Sequence, residues 1–458
     1  MFLNVLFDTE VWPIKWTEFS EIVRPELWSA RPTDFIPWDL KRREALHRIS
    51  DLIQFARTTS AFYRYRFRNV PEILLDQQDL VTVPFSSSTD LQVEVPPRRL
   101  LTGDPTQSLV FTSGGSSGEP KIVFWTAEEL WTNVAYHGKG YATAGINTGL
   151  VVGTFGVPGY LTSEFTVYLG LMRTGSLIVP IGINNDPERL LRYVSMFHVN
   201  TLLVMPSDLM PLLGYLEEKS MELDILHVVY GGERLFASTK EYLKKRLHVR
   251  RFNSTFQSID VGTIGFQCEH CMEGQYHIHD TLQYIECVDE QGNWVADGEI
   301  GELVITNLHR RLLPVIRYKT GDLIRRLPES CSCGITNPKI DLLGRRQEAI
   351  KLAGELFQVE SFGVPALRFG DLTGEFQITL EKDRAMDRLR ITYEAIGTAF
   401  RSVRSSLISD YLLESVPKLR DLVTARVMHP VVVDIVSQET MLRSPSSGKV
   451  IRVNDLRE

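Results

Sequence analysis

At 458 residues, 43% hydrophobic and 23% charged, the chain is long enough for two or three packed domains and has the balance of a globular protein. A formal net charge of −7 argues against a nucleic-acid surface, which requires a basic excess. No apolar run reaches the roughly 18–20 residues that span a bilayer. The opening MFLNVLFDTEVWPIKW also lacks the basic start and small-residue cleavage site of a secretory signal. A cytoplasmic enzyme is expected, with neither membrane nor nucleic acid as partner.

Residues 1–100 read as a helical prelude, because Leu46, Ile49, Leu52, Ile53 and Phe55 recur at helical spacing. From about residue 108, short β-rich runs (SLVFT, LVVGTF, SLIVPI, TLLVM, LHVVY) alternate with amphipathic stretches near 126–142, 163–173, 187–197 and 207–219. That alternation predicts an α/β fold with a mostly parallel sheet covered by helices, binding ligands beyond the carboxyl ends of its strands. Strand-rich text broken by DEQGNW and DGEIGE predicts a smaller β subdomain over about 262–340. The expected division is an N-terminal domain, 1–344, and a small mobile α+β C-terminal domain, 345–458.

Between SLVFT and a second short strand, IVF, lies Ser113-Gly114-Gly115-Ser116-Ser117-Gly118-Glu119-Pro120-Lys121. Glycines let the backbone turn tightly and present bare N–H groups, and serine hydroxyls add donors, so a polyphosphate suits such a concavity. The Walker spacing is absent, and a strand rather than a helix follows. A plain Gly/Ser surface loop has the same composition, so the string does not decide the matter by itself.

SGGSSGEPK resembles the signature loop of the adenylate-forming superfamily, which includes acyl-CoA synthetases and peptide-synthetase adenylation domains. The resemblance implies that the loop grips the β- and γ-phosphates of ATP. Further segments match in order. Tyr230-Gly231-Gly232-Glu233 is similar to the adenine-binding turn. Phe256-Gln257-Ser258-Ile259-Asp260 resembles the Tyr-Gly-Ser/Thr-x-Glu segment, with Phe for Tyr, Gln for Gly and Asp for Glu. It implies a nucleotide contact for Ser258 and a Mg²⁺-serving acid at Asp260, whose short carboxylate still offers a hard oxygen. Arg317-Tyr318-Lys319-Thr320-Gly321-Asp322, with Gly344-Arg345 behind it, resembles the segment whose Asp accepts both ribose hydroxyls. The resemblance implies Arg345 as a further nucleotide contact.

RSPSSGKVIRVND resembles the family's last motif and implies that Lys449 is the adenylation lysine. An ammonium there would stabilise the charge that builds when a carboxylate attacks the α-phosphate. In such enzymes the C-terminal domain rotates after the Gly-Arg pair; here Gln347 stands at the hinge position, usually Asp or Lys.

Along residues 108–360 the likeness is to the phenylacetate–CoA ligase branch, through GTIGFQC, GQYHIHD, GELVITNLHRRLLPVIRYKTGD and CSCG. Its acyl pocket would be lined by Phe155, Gly156, Tyr160, Tyr230 and Phe256, which suits a flat aromatic or arylacetic acid. Coenzyme A is the acceptor implied by the branch. An amine or a carrier-protein thiol would use the same first step, and a non-catalytic nucleotide-binding relative would retain most of these motifs. A homodimer is left open.

All five cysteines lie between Cys268 and Cys333. Cys331 and Cys333 share one tight turn, and Cys268 and His277 precede them on a β segment, a set that would suit a tetrahedral structural zinc. Cys271 makes an all-thiolate site the alternative, His270 and His279 are spare ligands, and a set of reduced cysteines is the plain reading.

Overall fold

The computed structural model describes residues 32–457 except 94–98, 113–120, 156–161, 183–186, 233–234, 236, 346–348, 354, 364, 370, 384–385, 396–403, 438–439 and 444–449. The prelude forms the helix Trp38–Thr59, whose stripe of Leu46, Ile49, Leu52 and Ile53 is buried. Phe55, expected on the same stripe, is half-buried beneath the Arg311 guanidinium, 5.4 Å from its ring centroid. The Ser60 side chain ends this helix and starts the next, Ala61–Arg66, by accepting from the Tyr63 N–H.

β1 (Ser108–Thr112) and β2 (Ile122–Thr126) pair antiparallel as a separate hairpin, Ser108 opposite Thr126. SLVFT therefore does not join the main sheet, contrary to expectation. The link to β2 is shorter than the dozen or so residues that a parallel crossover requires. Thr126 and Glu129 then form a reciprocal capping box that starts the helix Ala127–Thr143.

Five strands follow: β3 (Val151–Thr154), β4 (Leu177–Pro180), β5 (Thr201–Val204), β6 (His227–Gly231) and β7 (Arg251–Ser258). They lie parallel in the order β4-β3-β5-β6-β7. The helices Thr162–Met172, Pro187–Met196, Met210–Glu218 and Ala237–Leu247 make the crossovers; the first three lie close to the ranges the sequence predicts, and the fourth is not among them.

The same sheet continues antiparallel through β8 (Gly262–Phe266), β9 (Gln275–Ile278), β10 (Gln283–Val288), β11 (Ile300–Asn307), β12 (Tyr318–Leu327) and β13 (Lys339–Arg345). Past β7 the order is β8-β9-β13-β12-β11-β10, giving eleven strands in all. The sheet is thus mixed, because short links in place of helices allow only antiparallel returns. The strands over 262–345 are continuous with the parallel half.

β14 (Ala349–Leu352) and β15 (Glu355–Gln358) form a hairpin. β16 (Leu372–Asp383), β17 (Met386–Ala395), β18 (Val432–Val436) and β19 (Val453–Asp455) make a separate four-stranded sheet in the order β18-β17-β16-β19. Its apolar face (Ile378, Leu380, Leu389, Ile391) packs with Ile408 and Leu412 in a core of its own. Three further cores lie among the described residues: the prelude against the antiparallel strands, crossover helices against the parallel ones, and a smaller one of Tyr141, Ile146, Val152, Val167, Leu171 and Val229. Among the described residues, no helix is long and apolar enough to cross a membrane.

Candidate active site

The carboxyl ends of the parallel strands share one edge of the sheet. Buried Phe155 follows β3, Tyr230 and Gly231 end β6, and Phe256 and Ser258 end β7. Cross-strand register aligns Thr154 with Leu203, Val204 with Tyr230, and Tyr230 with Ser254, which brings the three aromatics to neighbouring levels. Phe256 packs against Tyr276 at 5.5 Å between centroids. A Cβ at Gly231 would sit 2.8 Å from Thr255 Oγ1, so the β6 backbone approaches β7 more closely than a side chain permits. Gly232 follows at φ 74° and turns the chain out of the strand.

Asp260, 2% exposed, is the meeting point of three elements. Its Oδ2 accepts from Lys121 Nζ, at the entry to β2, and from the Tyr318 hydroxyl at 2.6 Å, at the start of β12. Its backbone N–H donates to Ser258 Oγ at 3.3 Å. Its Oδ1 is buried with no hydrogen-bond partner among the described residues. Burial, reinforced by the Asp260 charge, pushes the Tyr318 phenol well above its ordinary range, so Tyr318 stays a donor. A buried carboxylate with one oxygen accepting two hydrogen bonds and the other accepting none among the described residues fits a hard cation such as Mg²⁺.

Asp322 lies four residues along β12 from Tyr318, directly opposite Arg345 on β13, and pairs with it at 3.1 Å. Asp322 is buried while the Arg345 side chain is 54% exposed, so the carboxylate is fixed and the guanidinium sits at the surface. Ser113, Gly114, Gly115, Ser116, Ser117 and Gly118 lie outside the described residues, as do Gly156, Tyr160, Glu233, Gln347 and Lys449.

The cysteine cluster lies beyond β8. Cys268 Sγ is 3.6 Å from both Cys331 Sγ and His277 Nε2, and Cys333 Sγ is 3.4 Å from His277 Nε2. These four ligand atoms all lie within 4.8 Å of one another. Hydrogen bonds, first from Cys271 and then from His277 (with burial opposing them), hold the Cys268 thiol far below its ordinary range and favour the thiolate. Cys271 touches Cys268 at 3.6 Å but does not belong to the group of four. The spare histidines lie elsewhere: His279 packs against Phe266 and Tyr136, and His270 faces Glu269 near the surface.

The family model described as AMP-binding enzyme matches residues 66–309, more than half of the chain. The chain belongs to the AMP-binding enzyme family. This AMP-binding enzyme is 24% identical over 440 residues to a phenylacetate-coenzyme A ligase of Thermus thermophilus, covering 92% of this chain and 98% of that one. Another phenylacetate-coenzyme A ligase, from Escherichia coli K12, is 24% identical, covering 84% and 87%. In fold it is similar to 2-hydroxyisobutyryl-CoA ligase solved in its postadenylation state with 2-HIB-AMP: TM-score 0.78, 18% identity, 92% of this chain and 90% of that chain.

Sequence reasoning missed two residues of this AMP-binding enzyme's site. Tyr318 stands inside the quoted RYKTGD segment, but its bond to Asp260 spans 58 residues and has no local signal. Arg310, in HRRLLP, reads as a solvated charge yet is 0% exposed. Arg317 proves structural: its guanidinium is bidentate to Glu286 and donates to Val83 O at 2.6 Å, joining β12 to the prelude.

Proposed function

We propose that this AMP-binding enzyme joins a carboxylic acid, aromatic or arylacetic in type, to coenzyme A through an acyl-adenylate. The observation that carries the reading is the convergence of Lys121, Asp260 and Tyr318 at the sheet's ligand-binding edge, with one carboxylate oxygen left bare and Asp322 on the same strand. In the first step a carboxylate oxygen of the acid attacks the α-phosphorus of ATP, the bond to the leaving pyrophosphate breaks, and an acyl-adenylate forms. In the second the thiol sulfur attacks the acyl carbon, its proton goes to solvent, and AMP leaves.

Each residue has a defined task in this scheme. The 113–118 loop and Lys121 bind the β- and γ-phosphates, and Asp322 accepts the two ribose hydroxyls with Arg345 beside it. Gly231, Gly232 and Glu233 border the adenine, and Ser258 lies against the nucleotide. Asp260 would hold Mg²⁺, which when bound neutralises phosphate charge. Lys449 supplies the ammonium that stabilises charge at the α-phosphate. Phe155, Gly156, Tyr160, Tyr230 and Phe256 wall the acid, and their flat faces favour an aryl ring. Residues 345–458 act as the mobile domain that brings Lys449 in, turning about the segment after Gly344-Arg345.

The acceptor is supported by the relatives, four of which are named phenylacetate-coenzyme A ligases. The cysteine cluster would hold a structural zinc on Cys268, His277, Cys331 and Cys333, tying the β8–β9 segment to the 331–333 turn. Five unpaired cysteines suit a reducing, cytoplasmic setting.

Pyrophosphate release measured across aryl, arylacetic and fatty acids, with and without CoA, tests the reading. Aryl acids should release pyrophosphate, and CoA should be consumed in proportion. Lys449→Ala should abolish release while ATP still binds. No release with any acid would overturn the assignment.

A further inference from the structure

Lys121 and Asp260 come from parts of the chain 139 residues apart, and one fully buried side chain touches both of their carriers. Arg310, on the connection between β11 and β12, donates Nη1–H to the Asp260 carbonyl at 2.7 Å. Its Nη2 donates to the carbonyl of Phe124, three residues beyond Lys121 on β2. The guanidinium lies over the Trp125 ring, 4.1 Å from the centroid, where stacking fixes its plane.

The support behind Arg310 is itself anchored. Asn307 Oδ1 accepts from the backbone N–H of His309 at 2.9 Å and of Arg310 at 3.0 Å. Glu129, besides closing the capping box, accepts from the N–H of Arg311 at 2.6 Å and of Leu312 at 2.9 Å. The Asn307 amide also donates to Val261 O at 2.8 Å, so consecutive carbonyls of the Asp260 turn are gripped from one segment. A planar fork with two donors can bridge two carbonyls on different strands; an ammonium, a point donor, cannot hold both in the same geometry.

We propose that Arg310 is a positioning residue for nucleotide activation: it fixes the separation of β2 and the Asp260 turn, and thereby the direction in which the Asp260 carboxylate presents its bare oxygen. The proposal rests on the reading of Asp260 as the Mg²⁺-serving acid. Arg310 touches no substrate. It acts by holding the backbone from which Lys121 and Asp260 project.

The test is a Mg²⁺ titration of the full chain, with two readouts: pyrophosphate release, and the extra thermal stabilisation that ATP with Mg²⁺ gives over ATP without metal. Arg310→Lys should raise the half-saturating Mg²⁺ about tenfold or more, as expected for losing one charge-assisted hydrogen bond. It should shrink the metal-dependent thermal shift by half or more, with KM for the acid unchanged. Trp125→Phe is the milder variant, since the indole N–H has no partner to lose among the described residues; it should move both readouts the same way by less. Arg311→Lys, on the exposed neighbour, should match the wild type. A folded Arg310→Lys with wild-type Mg²⁺ dependence overturns the proposal. If that variant does not fold, an unaltered dependence in Trp125→Phe overturns it instead. Asp260→Asn separates the two claims: if it leaves Mg²⁺ dependence unaltered, the reading of Asp260 fails; if it alone shifts the dependence, only Arg310's role fails.

Discussion

With the proposed zinc in the cysteine cluster, removing one ligand should cost that metal and a few degrees of thermal stability. A tetrahedral zinc with Zn–S near 2.3 Å and Zn–N near 2.05 Å implies S···S edges of about 3.75 Å and S···N edges of about 3.55 Å. The S···S edge of 3.6 Å and the S···N edges of 3.6 and 3.4 Å match those lengths, and a disulfide, at about 2.05 Å, does not. With free metal at 100 to 1,000 times its dissociation constant, binding to the folded state adds about 2.7 to 4.1 kcal/mol. At roughly 1 °C per kcal/mol for a chain this large, that is about 3–4 °C in Tm. Protein purified without added metal should carry about one zinc by mass spectrometry. Chelation should lower Tm by that amount, and added zinc should restore it. Cys333→Ser should lose the zinc, whereas Cys271→Ser, outside the group of four, should keep it. Metal near zero together with no effect of added zinc would refute the site. Loss of zinc in Cys271→Ser but not in His277→Gln would refute the ligand set in favour of four thiolates.

Three further outcomes are expected. Asp322→Asn keeps one acceptor where the proposed ribose contact requires two; KM for ATP should rise roughly 10- to 150-fold in initial-rate assays, with KM for the acid unchanged. Gly231→Ala places a Cβ 2.8 Å from Thr255 Oγ1 and should weaken ATP binding measured by calorimetry, and Gly231→Ala/Thr255→Ala should recover most of it. Burial holds His227 at about 4, against an ordinary value of 6.5, despite its bond to Asn253. Above 6.5 both states are neutral. Between 6.5 and about 4 only the unfolded chain gains the proton, so stability should fall on acidification through that window, and His227→Gln should flatten the fall in urea-denaturation midpoints.

Local chemistry made much of this molecule legible. Three of the four crossover helices follow from their apolar spacing, and the prelude's buried stripe follows from Leu46, Ile49, Leu52 and Ile53. Pairing partners were less accessible, because a strand's neighbours are set by connection length and topology rather than by its own residues. SLVFT is as β-rich as any strand of the main sheet, yet its short link forces it into a hairpin with β2. The cysteine set was more legible. Spacing offered Cys268, His277, Cys331 and Cys333, with Cys271 as the competing thiolate, and the fold brings the ligand atoms of those four within 4.8 Å of one another. Arg310 was invisible: an arginine in a polar-looking string is usually solvated, and only the fold buries this one.

The trio at Asp260 is asymmetric, and the asymmetry bears on how the site works. Tyr318 follows Arg317, whose guanidinium is locked to Glu286 and whose N–H and C=O bond to Thr306 Oγ1 and the Ser86 N–H. The phenol is therefore held by scaffold that no ligand needs to disturb. Lys121 stands at the mouth of the β1–β2 hairpin with its side chain 17% exposed, on a flexible stem that loses little by turning. In the proposed reaction, entering phosphates would draw Lys121 away, while Tyr318 would keep Asp260 aligned. Exchanging one cation partner for another at a carboxylate that stays fixed leaves no buried charge uncompensated, the state that would otherwise cost most in so enclosed a site.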